Sequence, residues 1–168
     1  MNYWLLKSEP DVFGIDHLKR FNETIWDGVR NYQARNFLQT ARVGDLAFFY
    51  HSNVEPIGIA GLCKIIEANI ADPSQFDPRS TYYDPKSNLA APRWWTVKVQ
   101  FVEKFANVIS LETLRQQFQP DDLIIIRKGN RLSVTPVSEA TALRLLEMAR
   151  DVMPKSQSLR PLQGLEGS

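Results

Sequence analysis

The order of apolar and polar positions divides the chain into short elements separated by polar breaks. Tyr3 to Leu6 is an aromatic and aliphatic run ending at Lys7-Ser8-Glu9-Pro10, the pattern of a first strand that enters a polar turn. Asp11 is placed to cap a short helix running to His17 or Leu18. Ile25 to Asn31, broken by Asp27 and Gly28, reads as a loop that delivers Trp26 and Arg30. Asn31 then caps a helix whose stripe is Tyr32, Phe37 and Leu38. After a Val43-Gly44-Asp45 turn, Leu46 to Tyr50 and Gly58 to Ile66 are apolar on both faces, as central strands of one sheet are, with the Asn53 to Pro56 break between them.

Residues 72–93 are crowded with Pro, Asp and Ser and form a long structured loop, the first place to seek a lid. From Trp95 the alternation is clean: Trp95, Val97, Val99 and Phe101 share one face, while Trp94, Thr96, Lys98 and Gln100 share the other, so Trp94 is predicted to point away from the main core. Ser110 caps a helix carrying Leu111, Leu114 and Phe118. Leu123 to Ile126 reads as a strand, Lys128 to Arg131 as a turn and Leu132 to Thr135 as a returning strand. Pro136-Val137-Ser138 opens a last helix carrying Ala142, Leu145, Leu146 and Ala149. The pattern therefore gives one domain over residues 1–150 and a tail over 151–168, with no internal repeat.

At 168 residues with 43% hydrophobic and 23% charged residues, the chain is long and apolar enough to bury a core of its own. Twenty Lys and Arg against 19 Asp and Glu leave a net charge of +1, which excludes a diffuse polycation wrapped along a duplex and confines any nucleic-acid contact to a local patch. One cysteine, Cys63, allows no intramolecular disulfide and no Cys-rich zinc site, and points to a reducing, intracellular setting. The first ten residues are charged too soon for a secretory segment, and nothing approaches the roughly 20 apolar residues that span a bilayer. No membrane contact, metal or cofactor is expected.

Phosphate-binding Gly-Lys-Ser/Thr loops, Gly-x-Ser-x-Gly elbows, Cys-x-x-Cys pairs and zinc-deaminase spacings do not occur in the sequence. His51 with Cys63 is a weak nucleophile and base, because Cys63 sits in an apolar strand. Glu9 and Asp27 are candidate acid and base that no spacing links. What stands out is aromatic residues interleaved with hydrogen-bonding groups: Trp26 with Asp27, Arg30 and Asn31; Tyr50 with His51, Ser52 and Asn53; Arg93 with Trp94 and Trp95. Ring faces that stack and polar groups that read an edge suit a flat polar ligand such as a nucleobase. Each of Trp26, Tyr50 and Trp95 also fits an ordinary core aromatic. Arg30, Arg35 and Arg42 offer one phosphate-binding edge and Arg127, Lys128 and Arg131 another, a solvated surface being the alternative for both.

Lys7-Ser8-Glu9-Pro10, the run from Trp26 to Asn36, the Phe49 to Asn53 strand end and Pro92-Arg93-Trp94-Trp95 together resemble the EVE domain family, over roughly Asn2 to Ala149. The resemblance implies an α+β, PUA-like fold, a mixed sheet bent into a pseudo-barrel with surrounding helices. It also implies a non-enzymatic reader of modified bases, most of all modified cytosine in DNA, with RNA as a further target. Carried over by motif, Lys7, Ser8 and Glu9 line one rim of a pocket, and Trp26, Val29, Arg30 and Asn31 supply its loop. Tyr50, His51, Ser52 and Asn53 form its floor and polar edge, and Trp94 or Trp95 completes an aromatic wall. The expected partner is DNA or RNA bearing a modified base, read by a monomer that is cytoplasmic, nucleoid-associated in a bacterium or nuclear in a eukaryote. Two other readings stay open. One is a nucleotide- or tRNA-directed enzyme or accessory domain using His51 or Glu9; the other is an interaction module docking through Asp72 to Arg93.

Overall fold

Strand β1 (Tyr3–Ser8) buries side chains on both of its faces: Trp4 and Leu6 enter one apolar cluster and Leu5 enters another. Strand β3 (Leu46–His51) lies parallel to it, in register from Tyr3 with Leu46 to Ser8 with His51, and divides the same way, Ala47 and Phe49 to one side and Phe48 and Tyr50 to the other. Two-sided burial is what an uninterrupted apolar run demands. Antiparallel β4 (Gly58–Ala71) and β5 (Trp95–Ser110) extend the sheet beyond β3, while β2 (Glu23–Ile25) pairs outside β5 and β6 (Val134–Val137) outside β1. The result is a mixed six-stranded sheet of order β2-β5-β4-β3-β1-β6. Register shifts at four places between β4 and β5 add the local bend and twist that strands of 14 and 16 residues need to follow a curved surface.

Helices α1 (Pro10–Phe13), α2 (Ile15–Phe21) and α3 (Tyr32–Thr40) accompany the first cluster, and α4 (Leu111–Gln117) and α5 (Glu139–Arg150) the second. This is the α+β architecture that the family resemblance implies. The computed structural model describes residues 1–151; the expected tail from 152 onward lies outside the described residues. No helix among the described residues is long and apolar enough to cross a membrane.

Several elements differ from the sequence expectation. Leu123 to Ile126 is not a strand: Ile124–Ile126 forms a 3-10 turn, because β6 already occupies the outer edge of β1 and the apolar side chains are buried in the second cluster instead. Strand β6 begins at Val134 rather than Leu132 and runs through Pro136, tolerable because an edge strand has no partner for the missing N–H. The last helix starts at Glu139, with the Ser138 side chain accepting from Thr141 N–H as its cap. The helix expected from Asp11 is two helices that divide at Gly14, with Pro10 in the first turn and Glu9 as its N-cap. Strand β2 carries too few residues to show an alternation.

At the far end of β1 and β3 the buried Asp45 carboxylate ties three segments together. It accepts from the Asn2 N–H at 3.0 Å, the Trp4 indole N–H at 3.0 Å and the Arg42 N–H at 2.9 Å. Asp45→Asn replaces one acceptor oxygen with an amino group that faces these donors. Such a buried mismatch costs about 1–3 kcal/mol. The expected outcome is a lower urea midpoint with an unchanged m-value.

Candidate functional site

At the opposite end of the sheet, where β1 and β3 finish, lies a cavity of about 600 Å³. The end of β1 supplies Lys7, Ser8 and Glu9, α1 supplies Val12 and Phe13, and β2 with the following loop supplies Thr24 to Val29. Ser52, Tyr82 and Ser133 close it. Lys7, Ser8, Glu9, Trp26, Val29 and Ser52 are thus brought together at one cavity, and Glu9 and Asp27, which no spacing linked, share it too. Val12, Phe13, Thr24, Ile25, Gly28, Tyr82 and Ser133 line it without having been singled out by the sequence.

The fully buried Phe49 ring stands behind this cavity. Trp26 meets it edge-on at 5.3 Å, Phe13 is tilted against it at 6.5 Å and His51 meets it edge-on at 5.5 Å. These aromatic contacts limit how far each ring can turn. The Ser8 hydroxyl donates to the Phe13 carbonyl at 2.7 Å, and the Asn53 amide donates to the Glu9 carboxylate at 2.8 Å, so the rim polar groups also fix their neighbours.

His51 serves the wall rather than facing the cavity. Its Nε2 accepts from the Ile15 N–H at 3.1 Å, and His17 Nδ1 accepts from the Gly14 N–H at 2.8 Å, so two imidazoles hold the α1–α2 junction. Tyr50 points to the other side of the sheet, into the second apolar cluster, where burial raises its phenol. Asn31 caps α3 through a hydrogen bond from Ala34 N–H at 3.0 Å. None of these lines the cavity, nor do Asn53, Trp94 and Trp95.

Arg30 is a bolt between two loops. Its Nε and Nη2 donate to the Tyr82 carbonyl at 3.0 and 2.8 Å, and Nη1 donates to the Val29 carbonyl and the Asp72 carboxylate, both at 2.9 Å. Nη2 also reaches Ser74 Oγ at 3.0 Å. All five N–H groups of the guanidinium are used, which leaves none for a phosphate. Burial acts to raise the Asp72 carboxyl, but bonds from Ser74, the Gly28 N–H and Arg30 outweigh it and hold the group below the usual carboxylate range. Gly28 adopts φ +85°, and a Cβ there would lie 2.6 Å from the Tyr82 ring, so only glycine lets the two loops close up.

Residues 72–93 form a pinned wall rather than a loose lid. The buried Gln75 side chain donates to the Asp72 and Trp94 carbonyls, both at 2.8 Å, and accepts from the Arg93 and Trp94 N–H groups, both at 3.1 Å. Trp94 lies just before β5 and belongs to neither apolar cluster, yet is only 5% exposed because this wall covers it, whereas Trp95, expected on the core face with Val97 and Val99, joins neither cluster. Its indole donates to Asp84 at 2.7 Å, holding that carboxyl low, and its ring stacks on Tyr32 at 5.0 Å.

The basic residues are spread. Arg35 donates to the Arg93 carbonyl at 2.9 Å and lies over the Tyr32 ring. Arg42 sits before β3, where its N–H binds Asp45 at the far end of the sheet, and does not line the cavity. Arg127 donates to the Pro120 carbonyl, whereas Lys128 and Arg131 are exposed on the turn that leads to Ser133 at the cavity. Cys63 is fully buried and its thiol is pushed up to about 12, the reverse of an activated nucleophile. Among the described residues no three His, Cys, Asp or Glu side chains gather as a metal site.

The EVE domain family model matches residues 2–148. Human thymocyte nuclear protein 1 is 40% identical over 156 residues, covering 82% of this chain and 69% of that protein. A crystal structure of a Pseudomonas syringae protein is 46% identical with a TM-score of 0.84, covering 88% of this chain and 99% of that one. The human THYN1 protein, solved in complex with DNA containing 5-methylcytosine, is 38% identical with a TM-score of 0.84, covering 92% and 100%. The chain belongs to the EVE domain family.

Two outcomes follow from the geometry. Arg30→Met leaves the buried Asp72 carboxylate without its cation and is expected to destabilise the fold by about 3–5 kcal/mol, read by urea unfolding. Burial lowers the His51 pKa, outweighing the opposing Asp16 charge. The unfolded chain therefore takes up the proton first as pH falls below about 6.5, so stability is fully present above that pH and declines beneath it. Unfolding free energies measured near pH 7.5 and 5.5 are expected to differ in the wild type, with that difference reduced in His51→Gln, which keeps an acceptor but cannot titrate.

Proposed function

We propose that the cavity receives a single base extruded from a nucleic acid and reads its modification, modified cytosine in DNA being the preferred target. The observation that carries this reading is the cavity itself: flat aromatic side chains, Phe13, Trp26 and Tyr82, stand beside short polar groups at the end of β1 in a family member whose relative was solved with 5-methylcytosine DNA. Its volume is that of a small-molecule site and exceeds what one base needs, leaving room for a C5 substituent. In this reading Lys7, Ser8, Glu9, Trp26, Val29 and Ser52 contact the base. Arg30, Asn31, His51 and Asn53 hold those contacts in place.

Extrusion costs a few kcal/mol of lost stacking and pairing, which stacking on an aromatic wall offsets by about 1–3 kcal/mol before any edge contact forms. A methyl in an apolar recess adds on the order of 1–3 kcal/mol, so preference is graded rather than absolute. In this reading Lys128 and Arg131, exposed on the turn that leads to Ser133, meet the flanking phosphates. With so few cations, affinity falls only gently with salt. The Ser8 and Ser52 hydroxyls donate to main-chain carbonyls rather than to a carboxylate or imidazole, which favours binding without turnover.

Titration of matched duplex DNA and RNA, with and without one 5-methylcytosine and at two salt concentrations, tests this. Selective binding of methylated DNA is expected, and Trp26→Ala is expected to weaken it roughly 5- to 150-fold. Because Trp26 is also a member of the first apolar cluster, circular dichroism must show that the variant is folded, and Trp26→Phe, which retains a stacking face and most of the packing, is expected to lose less. Equal binding of all forms by the wild type overturns the reading, and selective binding of methylated RNA alone makes the target RNA.

A further inference from the structure

We propose that Asp27 is the residue that separates cytosine from thymine in this cavity, its carboxylate accepting a hydrogen bond from the amino group on C4 of the bound base. The proposal rests on the base-reading function above and names the group that makes it specific.

The need for such a group is chemical. 5-Methylcytosine and thymine carry the same methyl on the same ring outline, so apolar walls such as Phe13 and Trp26 bind both equally. The two bases differ at C4, where cytosine presents an amino donor and thymine a carbonyl acceptor, and at the neighbouring N3, an acceptor in cytosine and an N–H donor in thymine; the C4 group is the one assigned to Asp27. A site that recognised only the methyl would be occupied by thymine throughout any DNA.

The other rim groups are largely committed within the protein. The Ser8 hydroxyl donates to the Phe13 carbonyl at 2.7 Å, Ser52 turns toward the Ser8 carbonyl at 3.4 Å, and the Glu9 carboxylate already takes the Asn53 amide at 2.8 Å. Asp27 is different. Among the described residues no other residue donates a hydrogen bond to its carboxylate, and Arg30, the neighbouring cation, is bound to Asp72. Its backbone is nonetheless held on both sides, by the Trp26 N–H on the Val97 carbonyl at 2.9 Å and the Gly28 N–H on Asp72 at 2.9 Å.

An acceptor-rich group on a fixed backbone at the cavity wall is set to receive an amino donor. Asp27 is an exposed residue at the mouth of the cavity, within reach of an entering base, and partial desolvation of its carboxyl together with the Asp72 charge raises its pKa, so a donor brought against it is favourable. Thymine would place its O4 against the same oxygen, two acceptors facing each other, and would be rejected.

The test uses duplex DNA in which 5-methylcytosine, cytosine or thymine stands opposite an abasic position, so that no pairing partner weights extrusion. The wild type is expected to bind the 5-methylcytosine duplex at least about fivefold more tightly than the thymine duplex. In Asp27→Asn the side-chain amide can turn either its carbonyl or its amino group to the base. The ratio is therefore expected to fall to near one, while 5-methylcytosine affinity stays within a few-fold. The substitution also removes repulsion from Asp72, so the variant keeps its fold. An unchanged ratio, or equal weakening on both bases, overturns the assignment of Asp27. A wild type that prefers 5-methylcytosine to cytosine but accepts thymine equally overturns it as well and leaves base reading intact. A wild type that distinguishes none of the three removes both.

Discussion

One wall of the cavity depends on a guanidinium that joins two loops distant in sequence. Arg30 spends its five N–H groups on Val29, Asp72, Ser74 and Tyr82, and in doing so brings the loop after β2 against residues 72–93. Lysine could not do this, since an ammonium lacks the planar fork that engages a carboxylate and carbonyls in different directions at once. The Asp72 carboxylate that receives it is only 1% exposed, so each charge depends on the other.

The rest of the site is built on that junction. Gly28 lets the Tyr82 ring approach, Asp72 takes the Gly28 N–H, and Trp26 is held between the Phe49 ring and the Val97 carbonyl. Groups that appear suited to a ligand by type are in fact the fasteners: Arg30, Asn31 and His51 have their polar atoms engaged within the protein. Even at the rim, Ser8, Ser52 and Glu9 make internal hydrogen bonds, and among the described residues there the Asp27 carboxylate is the exception. A reader that must hold one base in one pose needs such stiffness, because a loosely placed aromatic or acceptor loses the geometry on which discrimination depends.

A similar economy governs the sheet. Parallel pairing of β1 with β3 brings Ser8 beside His51 at the site end, while Asp45 closes the other end by gathering Asn2, Trp4 and Arg42. Both strands bury side chains on two faces, so the site sits at the margin of a core that leaves β1 and β3 little freedom to shift.

The sequence by itself determined the strands with strong two-sided apolar runs, the Asn31 and Ser110 helix caps, and the four motifs that mark the family and its fold. Those are local signals: a run, a cap or a motif is read from neighbours along the chain. It also pointed to the loop carrying Trp26 and to the importance of residues 72–93. Only the tertiary structure decided that Leu123 to Ile126 is a turn, since that depended on β6 taking the β1 edge. Likewise it alone separated wall from fastener. Tyr50 and Ser52 are two residues apart and would share a face of a continuous strand, but β3 ends at His51, so Tyr50 stays in the second apolar cluster while Ser52 is free to turn to the cavity. Tyr82 and Ser133 reach the site from loops whose sequences carry no signal for it, because their position follows from contacts made more than fifty residues away: Arg30 on the Tyr82 carbonyl and Lys7 N–H on the Ser133 carbonyl.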